Sequence, residues 1–507
     1  MGDRNDIVTL EARLARGADA IGTRTPVELE MLADLYLQAD EYLPALETID
    51  RLLSLPAARS LSRTRRTAIE TKAIACRLLR GDCQAALAQC RELLRDETGL
   101  ESVALRARLH LQAAKALQDL GRIEECGRSA ATGLELADAS GELTLSAQAL
   151  TVLGTTAYRA GDLAAARDYG EQALALYRRL GDTLSSAAVR NNLGLVHKNL
   201  CEWEPALGQF GSALAAYEEA GCFADTAGPL MNLGIVHQKM GDWELAGEKY
   251  REAEHVLARI GEENRLTRAG IGLGNVARLQ RRFAEAETRF LTTLERARRL
   301  GARREEVLAL EFMGELDFDR GRYEPAMARY NEALALAERT APEGDLIVEV
   351  ERRRAEVLCV LGRLDEAESA CARAQRLARL IDDKLEHAIT HRVAGEIALA
   401  RGDRHAALEH WTSAVTLLRG CRERYELART NLLIGRHAED SRSARVPLFQ
   451  ACALFSEIGS AFWLELAEAE LQRALGSPIA PLAARTESIL GRRHRAPSLV
   501  ACSLPMR

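Results

Sequence analysis

The chain has 507 residues, 47% of them hydrophobic and 28% charged, with a net charge of -6. The apolar fraction is ample for a continuous core, and the mildly acidic balance excludes the general basic field that nucleic acid binding needs. No stretch approaches 18 apolar residues and the first 20 carry no apolar run of signal-peptide length, so no membrane span is expected and the expected address is the cytoplasm.

Only six of the 68 cationic residues are Lys, a skew that points to a GC-rich bacterial genome. The eleven Cys form no CxxC pair and are odd in number. They read as reduced cysteines used as small apolar fillers.

Residues 1–26 are a lead-in, too short for a helix-turn-helix DNA-reading module. A first, worn helix pair spans 29–55 with its turn near Asp40, and the stretch 54–66 is a looser joint. From there a helix-turn-helix pattern repeats at a beat of 40 residues. Its inter-helix turns fall at Gly81, Gly121, Gly161, Cys201, Gly241, Arg281, Gly321, Gly362 and Gly402. A fixed period of this length means stacked units, each unable to bury its apolar face alone.

Within each unit the first helix carries a Leu-Gly or similar pair seven residues before the turn: Leu153-Gly154, Leu193-Gly194, Leu233-Gly234, Leu273-Gly274, Met313-Gly314 and Ala394-Gly395. Gly inside a helix costs about 1 kcal/mol relative to Ala, so its recurrence implies close helix contact. The second helix carries small residues seven apart on one face, such as Ala206/Ala213 and Ala246/Ala253. Large residues at its start (Tyr42, Trp203, Trp243, Phe283, Tyr323) read as wedges in the hairpin corner. Gly181, Gly221, Gly261 and Gly301 read as helix C-caps. A last worn unit spans 424–474, keeping Gly435 and the pair Ala444/Ala451.

These features resemble the tetratricopeptide repeat family, with Gly194, Ala206 and Ala213 at its small positions. The longer period is similar to that in kinesin light chains and in the sensor domains of some large bacterial transcription activators. The resemblance covers residues 27–476. It implies an all-α fold: a right-handed superhelical solenoid of about eleven antiparallel helix pairs, whose first helices line a concave groove holding a peptide or partner helix. Carried over one unit at a time, the groove positions are Asn192, Asn232 and Asn275 around the glycine. Four and five residues past it stand Tyr158 and Arg159, Lys198 and Asn199, Gln238 and Lys239, and then Arg278. Asn amides offer donor and acceptor to a peptide backbone, and the cations favour an acidic or carboxylate partner. Further on the same positions turn acidic (Glu311, Glu315, Asp317, Asp319).

No P-loop, HExxH, GxSxG or zinc-type Cys/His cluster occurs. His387 and His391 are four apart on one helix without a third ligand, and Asp317 and Asp319 diverge, so neither a metal site, a cofactor nor a carboxylate dyad is expected. From Gly476 the pattern stops. The tail 477–507 has four prolines and a basic cluster at Arg492, Arg493, His494 and Arg495. Its last stretch, LVACSLPMR, faintly resembles the approach to the ATPase domain of sigma-N-dependent activators. The expected function is a non-enzymatic interaction scaffold binding a peptide or partner helix. The alternative is the sensor module of a signalling or transcription-control system, split from such an activator.

Overall fold

The computed structural model of the protein describes residues 2–16, 25–95, 99–341 and 344–476. Among the described residues there is no strand. Helix α1 (Gly2–Arg16) precedes eleven pairs. The pairs are α2/α3 (Thr25–Gln38, Tyr42–Ser54), α4/α5 (Arg63–Leu79, Cys83–Leu94), α6/α7 (Val103–Asp119, Ile123–Ser140) and α8/α9 (Leu143–Arg159, Leu163–Leu180). There follow α10/α11 (Thr183–Asn199, Trp203–Glu219), α12/α13 (Phe223–Met240, Trp243–Ile260), α14/α15 (Glu263–Leu279, Phe283–Leu300) and α16/α17 (Arg303–Asp319, Tyr323–Thr340). The last pairs are α18/α19 (Asp345–Val360, Leu364–Leu380), α20/α21 (Lys384–Ala400, Arg404–Gly420) and α22/α23 (Arg424–Arg436, Ser441–Ile458), and α24 (Ala461–Leu475) ends the array. The architecture is the all-α solenoid that the 40-residue beat predicts.

The turns explain the beat. Each brings one residue to positive φ, from Gly81 at +80° to Gly402 at +87°. Where Gly is missing, Cys201 and Arg281 adopt φ +59° and accept the strain that a Cβ brings there. The small pairs of the second helices are fully inside: Ala206, Ala213, Ala246, Ala253, Ala326 and Ala333 are all 0% exposed.

The first-helix glycines have a specific neighbour. Nine residues past the turn, the second helix carries a ring: Phe210, Tyr250, Phe290, Tyr330 and Trp411. A Cβ on Gly234 would meet Tyr250 at 2.6 Å, and on Gly274 or Gly314 would meet Phe290 or Tyr330 at 2.5 Å. Gly395 stands in the same relation to Trp411. In these pairs the glycine is the socket and the ring the knob.

The chain divides into two compact units, residues 1–196 with 212–220 and residues 197–211 with 221–507. In the first, each helix packs on its sequence neighbours, and the first helices of adjoining pairs touch along one side (α4 with α6, α6 with α8). The second is built likewise (α12 with α14, α14 with α16, α16 with α18, α18 with α20), and it also returns on itself, since α12 packs on α22. Trp203 Nε1 donates to the Cys421 carbonyl at 2.7 Å, and Arg424 reaches the Met240 carbonyl and the Asp242 carboxylate. Trp243 stacks edge-on against Tyr425 at 5.5 Å. The wedge reading of the two tryptophans is therefore incomplete. They also seat the far end of the second unit.

Candidate functional site

The knob series breaks once at a first-unit pair that keeps its socket. At the ring position α9 has Gly170, so that a Cβ on Gly154 would meet no ring, only the α9 backbone and Tyr169 Cβ at 3.4–3.5 Å. Leu193 of α10 leans toward α9, so that a Cβ on Gly170 would meet Leu193 at 2.7 Å. A cavity of about 210 Å³ remains between α8, α9 and α10. Its wall is buried and apolar (Gly154, Ala166, Gly170, Val189, Leu193, Val196). Its more exposed side is polar: Gln118, Thr151, Thr155, Tyr158, Arg159 and Asn192. Gln118 holds this edge together. Its side chain donates to Thr155 Oγ1 at 2.9 Å, and its carbonyl accepts from Arg159 at 2.7 Å.

Three of the sequence-predicted groove residues, Tyr158, Arg159 and Asn192, thus surround one cavity. An apolar cavity of ~150 Å³ is enough to take up a benzene ring, so this one has room for an aromatic or branched side chain. A second recess, of about 380 Å³, lies between α6 and α8 and is lined by Arg108, Gln112, Lys115, Glu142, Thr144 and Gln148. Gln112 donates to the Thr71 carbonyl at 2.8 Å, and its own side-chain oxygen is buried without a partner.

The other predicted groove residues lie in the second unit, in different surroundings. Arg278 is 10% exposed and bonds Glu315 at 2.5 Å, Asp319 at 2.6 Å and the Asn275 side-chain oxygen at 3.0 Å. Asn275 itself is 4% exposed. Gln238 accepts a hydrogen bond from Tyr250 at 3.3 Å, Asn232 is half-buried and Asn199 is exposed. Lys198 and Lys239 are half-buried with acidic residues around them. Burial disfavours the Lys239 ammonium, but Glu349, Glu386, Asp383 and Glu423 outweigh it and raise its pKa. Burial, with Lys239 beside it, lowers that of Lys198.

The inner face of the second unit is a ladder of ion pairs. Arg353 bonds Glu311 at 2.6 Å and Glu315 at 2.5 Å, and Arg352 bonds Glu386 at 2.7 Å. Arg392, 0% exposed, is held by Glu356, by Glu396 at 2.9 Å and by Glu426 at 2.8 Å. Despite burial, Arg278, Arg353 and Arg352 hold Glu315 down to about 2, and Arg429, Arg392 and Arg352 do the same for Glu426. Glu423, at the N-terminus of α22, goes the other way. Burial and the neighbouring Glu426 push it up to about 8. Removing one member of such a pair leaves a bare buried charge, at a cost of about 3–5 kcal/mol. The acidic residues predicted to continue the groove are thus partners for the chain's own arginines. Asp317 and Asp319 diverge as expected, the former to Arg322 and Arg329 and the latter to Arg278.

The His387 and His391 rings meet edge to face at 5.1 Å, and His391 also lies 5.7 Å from His410. Among the described residues no group of three or more His, Cys, Asp or Glu side chains could hold a metal ion. No helix among them is long and apolar enough to cross a membrane. The ten described cysteines are free thiols, and eight of them are buried. The tail expectation, including the basic cluster at Arg492, Arg493, His494 and Arg495, lies outside the described residues.

A search of curated proteins finds no match. Among solved structures, a Rap protein complexed with competence and sporulation factor is similar at 14% identity and TM-score 0.43, over 82% of this chain and 98% of that one. Aspartyl phosphate phosphatase F from Bacillus subtilis is similar at 12% identity and TM-score 0.41, over 79% and 95%. A tetratricopeptide repeat protein from Parabacteroides merdae is similar at 18% identity and TM-score 0.37, over 56% and 98%. The family model described as tetratricopeptide repeat matches residues 146–219, 266–339 and 346–420. These three stretches are thus tetratricopeptide repeats, a repeat type whose stacks serve as protein-interaction scaffolds, and the same helix pair is repeated on either side of them.

Proposed function

We propose that the protein is a peptide-binding scaffold whose recognition site is the cavity between α8 and α10 in the first unit. The observation that carries this reading is the missing knob. A repeat that keeps its socket glycine, Gly154, but has Gly170 in place of the ring is left with an apolar space that a partner's side chain would fill. Around it Asn192 and Thr151 would pair with an extended backbone, and Tyr158 and Arg159 would flank the chain as it leaves. Arg108 and Lys115 at the neighbouring recess favour acidic residues next to the anchor. The inner face of the second unit is a poorer candidate, because entry of a peptide there would break buried ion pairs.

Selection of a random peptide library on the full-length chain tests the proposal. The expected winners share one aromatic or branched apolar residue with Asp or Glu close by. Winners without an apolar anchor would overturn the reading.

A further inference from the structure

In the second unit Cys201, the turn residue between α10 and α11, meets Cys421 at the end of α21. The two thiols are 6% and 4% exposed, and each perturbs the other's ionisation. Two contacts hold the meeting in register: the Trp203 indole on the Cys421 carbonyl at 2.7 Å, and Arg422 on Glu204 at 2.8 Å. The sulfurs of Cys83, Cys126 and Cys371 instead find oxygen partners, on Asp119, Thr156 and Thr390.

We propose that Cys201 and Cys421 are a reversible disulfide site, a redox latch on the seam where the second unit returns on itself. The oxidant is a low-molecular-weight disulfide. The Cys421 thiolate attacks one of its sulfurs and expels one thiolate, giving a mixed disulfide. Cys201 then loses its proton and attacks the Cys421 sulfur, and the second thiolate leaves. Two protein thiols are oxidised and one small disulfide is reduced to two thiols. The neighbouring Cys201 favours the thiolate at Cys421, which makes it the attacking sulfur. Closure brings the sulfurs to a bond of ~2.05 Å at a turn. Because both thiols are buried, reagent reaches them when the seam opens, so the reaction rate reports that opening.

The test treats the full-length chain with oxidised glutathione under native conditions, then traps free thiols and digests with trypsin. A C222S background leaves peptide 199–239 with a single cysteine, and Ser suits the N-cap of α12 where Cys222 sits. The expected product is peptide 199–239 joined to peptide 420–422. It forms before other linkages, vanishes with dithiothreitol and is missing in C201S. The latched protein unfolds at a higher temperature than its reduced form. Glutathione adducts spread over the cysteines without the 201–421 linkage, in protein that circular dichroism reports as folded, would overturn the proposal. So would a linkage that forms only in urea.

Discussion

The substitution Val189→Phe tests the cavity and its use together. Val189 is 2% exposed and lines the space between α8 and α10. Phe adds four carbons, which at ~0.8 kcal/mol per buried CH₂ set an upper limit of about 3 kcal/mol of gain. Ordering the ring and its imperfect fit remove part of this, leaving about 1 kcal/mol, within the usual range for filling a real cavity. The same change at Val307, 0% exposed in the packed core of the second unit, has no such space. It should cost about 1–3 kcal/mol through overpacking. Urea unfolding followed by circular dichroism reads both. Because repeat stability is a sum of neighbour terms, amide exchange in α8 and α10 localises the gain. Val189→Phe should also weaken a selected peptide at least tenfold, since its ring occupies the anchor's place. The reasoning fails if Val189→Phe destabilises as much as Val307→Phe, or if peptide affinity is unchanged.

Three further outcomes follow from the packing and the charges. Gly314→Ala should lose stability, because the about 1 kcal/mol gained in helix propensity is outweighed by a Cβ placed 2.5 Å from Tyr330, whereas Gly208→Ala, with nothing within 4 Å, should gain up to that amount in thermal unfolding. Asn275→Ala removes the acceptor of a buried Arg278 N–H, so it should cost about 1–3 kcal/mol yet leave peptide affinity unaltered, while Asn192→Ala should do the reverse in a binding titration. Glu423 titrates near 8 in the folded chain and near the ordinary carboxyl value when unfolded, so its contribution is complete below the unfolded pKa and is lost as pH rises toward 8. Glu423→Gln should therefore match the wild type near pH 4 and exceed it in urea midpoint at pH 9. Equal midpoints at pH 9 would show that Glu423 is not held neutral by its surroundings.

The repeat was legible because its signals are local. A turn glycine, a socket glycine and two small residues recur in most of the repeats, and each acts within a helix pair or its neighbour. The cavity was only half legible. Tyr158, Arg159 and Asn192 were found by position, but the space they surround depends on Gly170 lacking the ring that Phe210, Tyr250, Phe290, Tyr330 and Trp411 supply, and that series spans two helices. The acidic run Glu311–Asp319 was visible as a change of sign. Its meaning lay in Arg278 and Arg353, which sit on the first helices one repeat before and one repeat after it and meet the acids only after stacking. Contacts such as Trp203 with Cys421 or Arg424 with Asp242 could not be read at all. They join residues 182 to 218 positions apart. Which turns meet depends on the small rotation between units, a property set by packing and not by any motif.

The proposed peptide site belongs to the first unit. Photo-crosslinking measures this most directly, using a selected peptide whose apolar anchor is replaced by benzoylphenylalanine, irradiated on the full-length chain and mapped by mass spectrometry. A site there gives adducts between Thr151 and Val196, on α8, α9 and α10. Adducts on α12, α14, α16 or α18 of the second unit would contradict it.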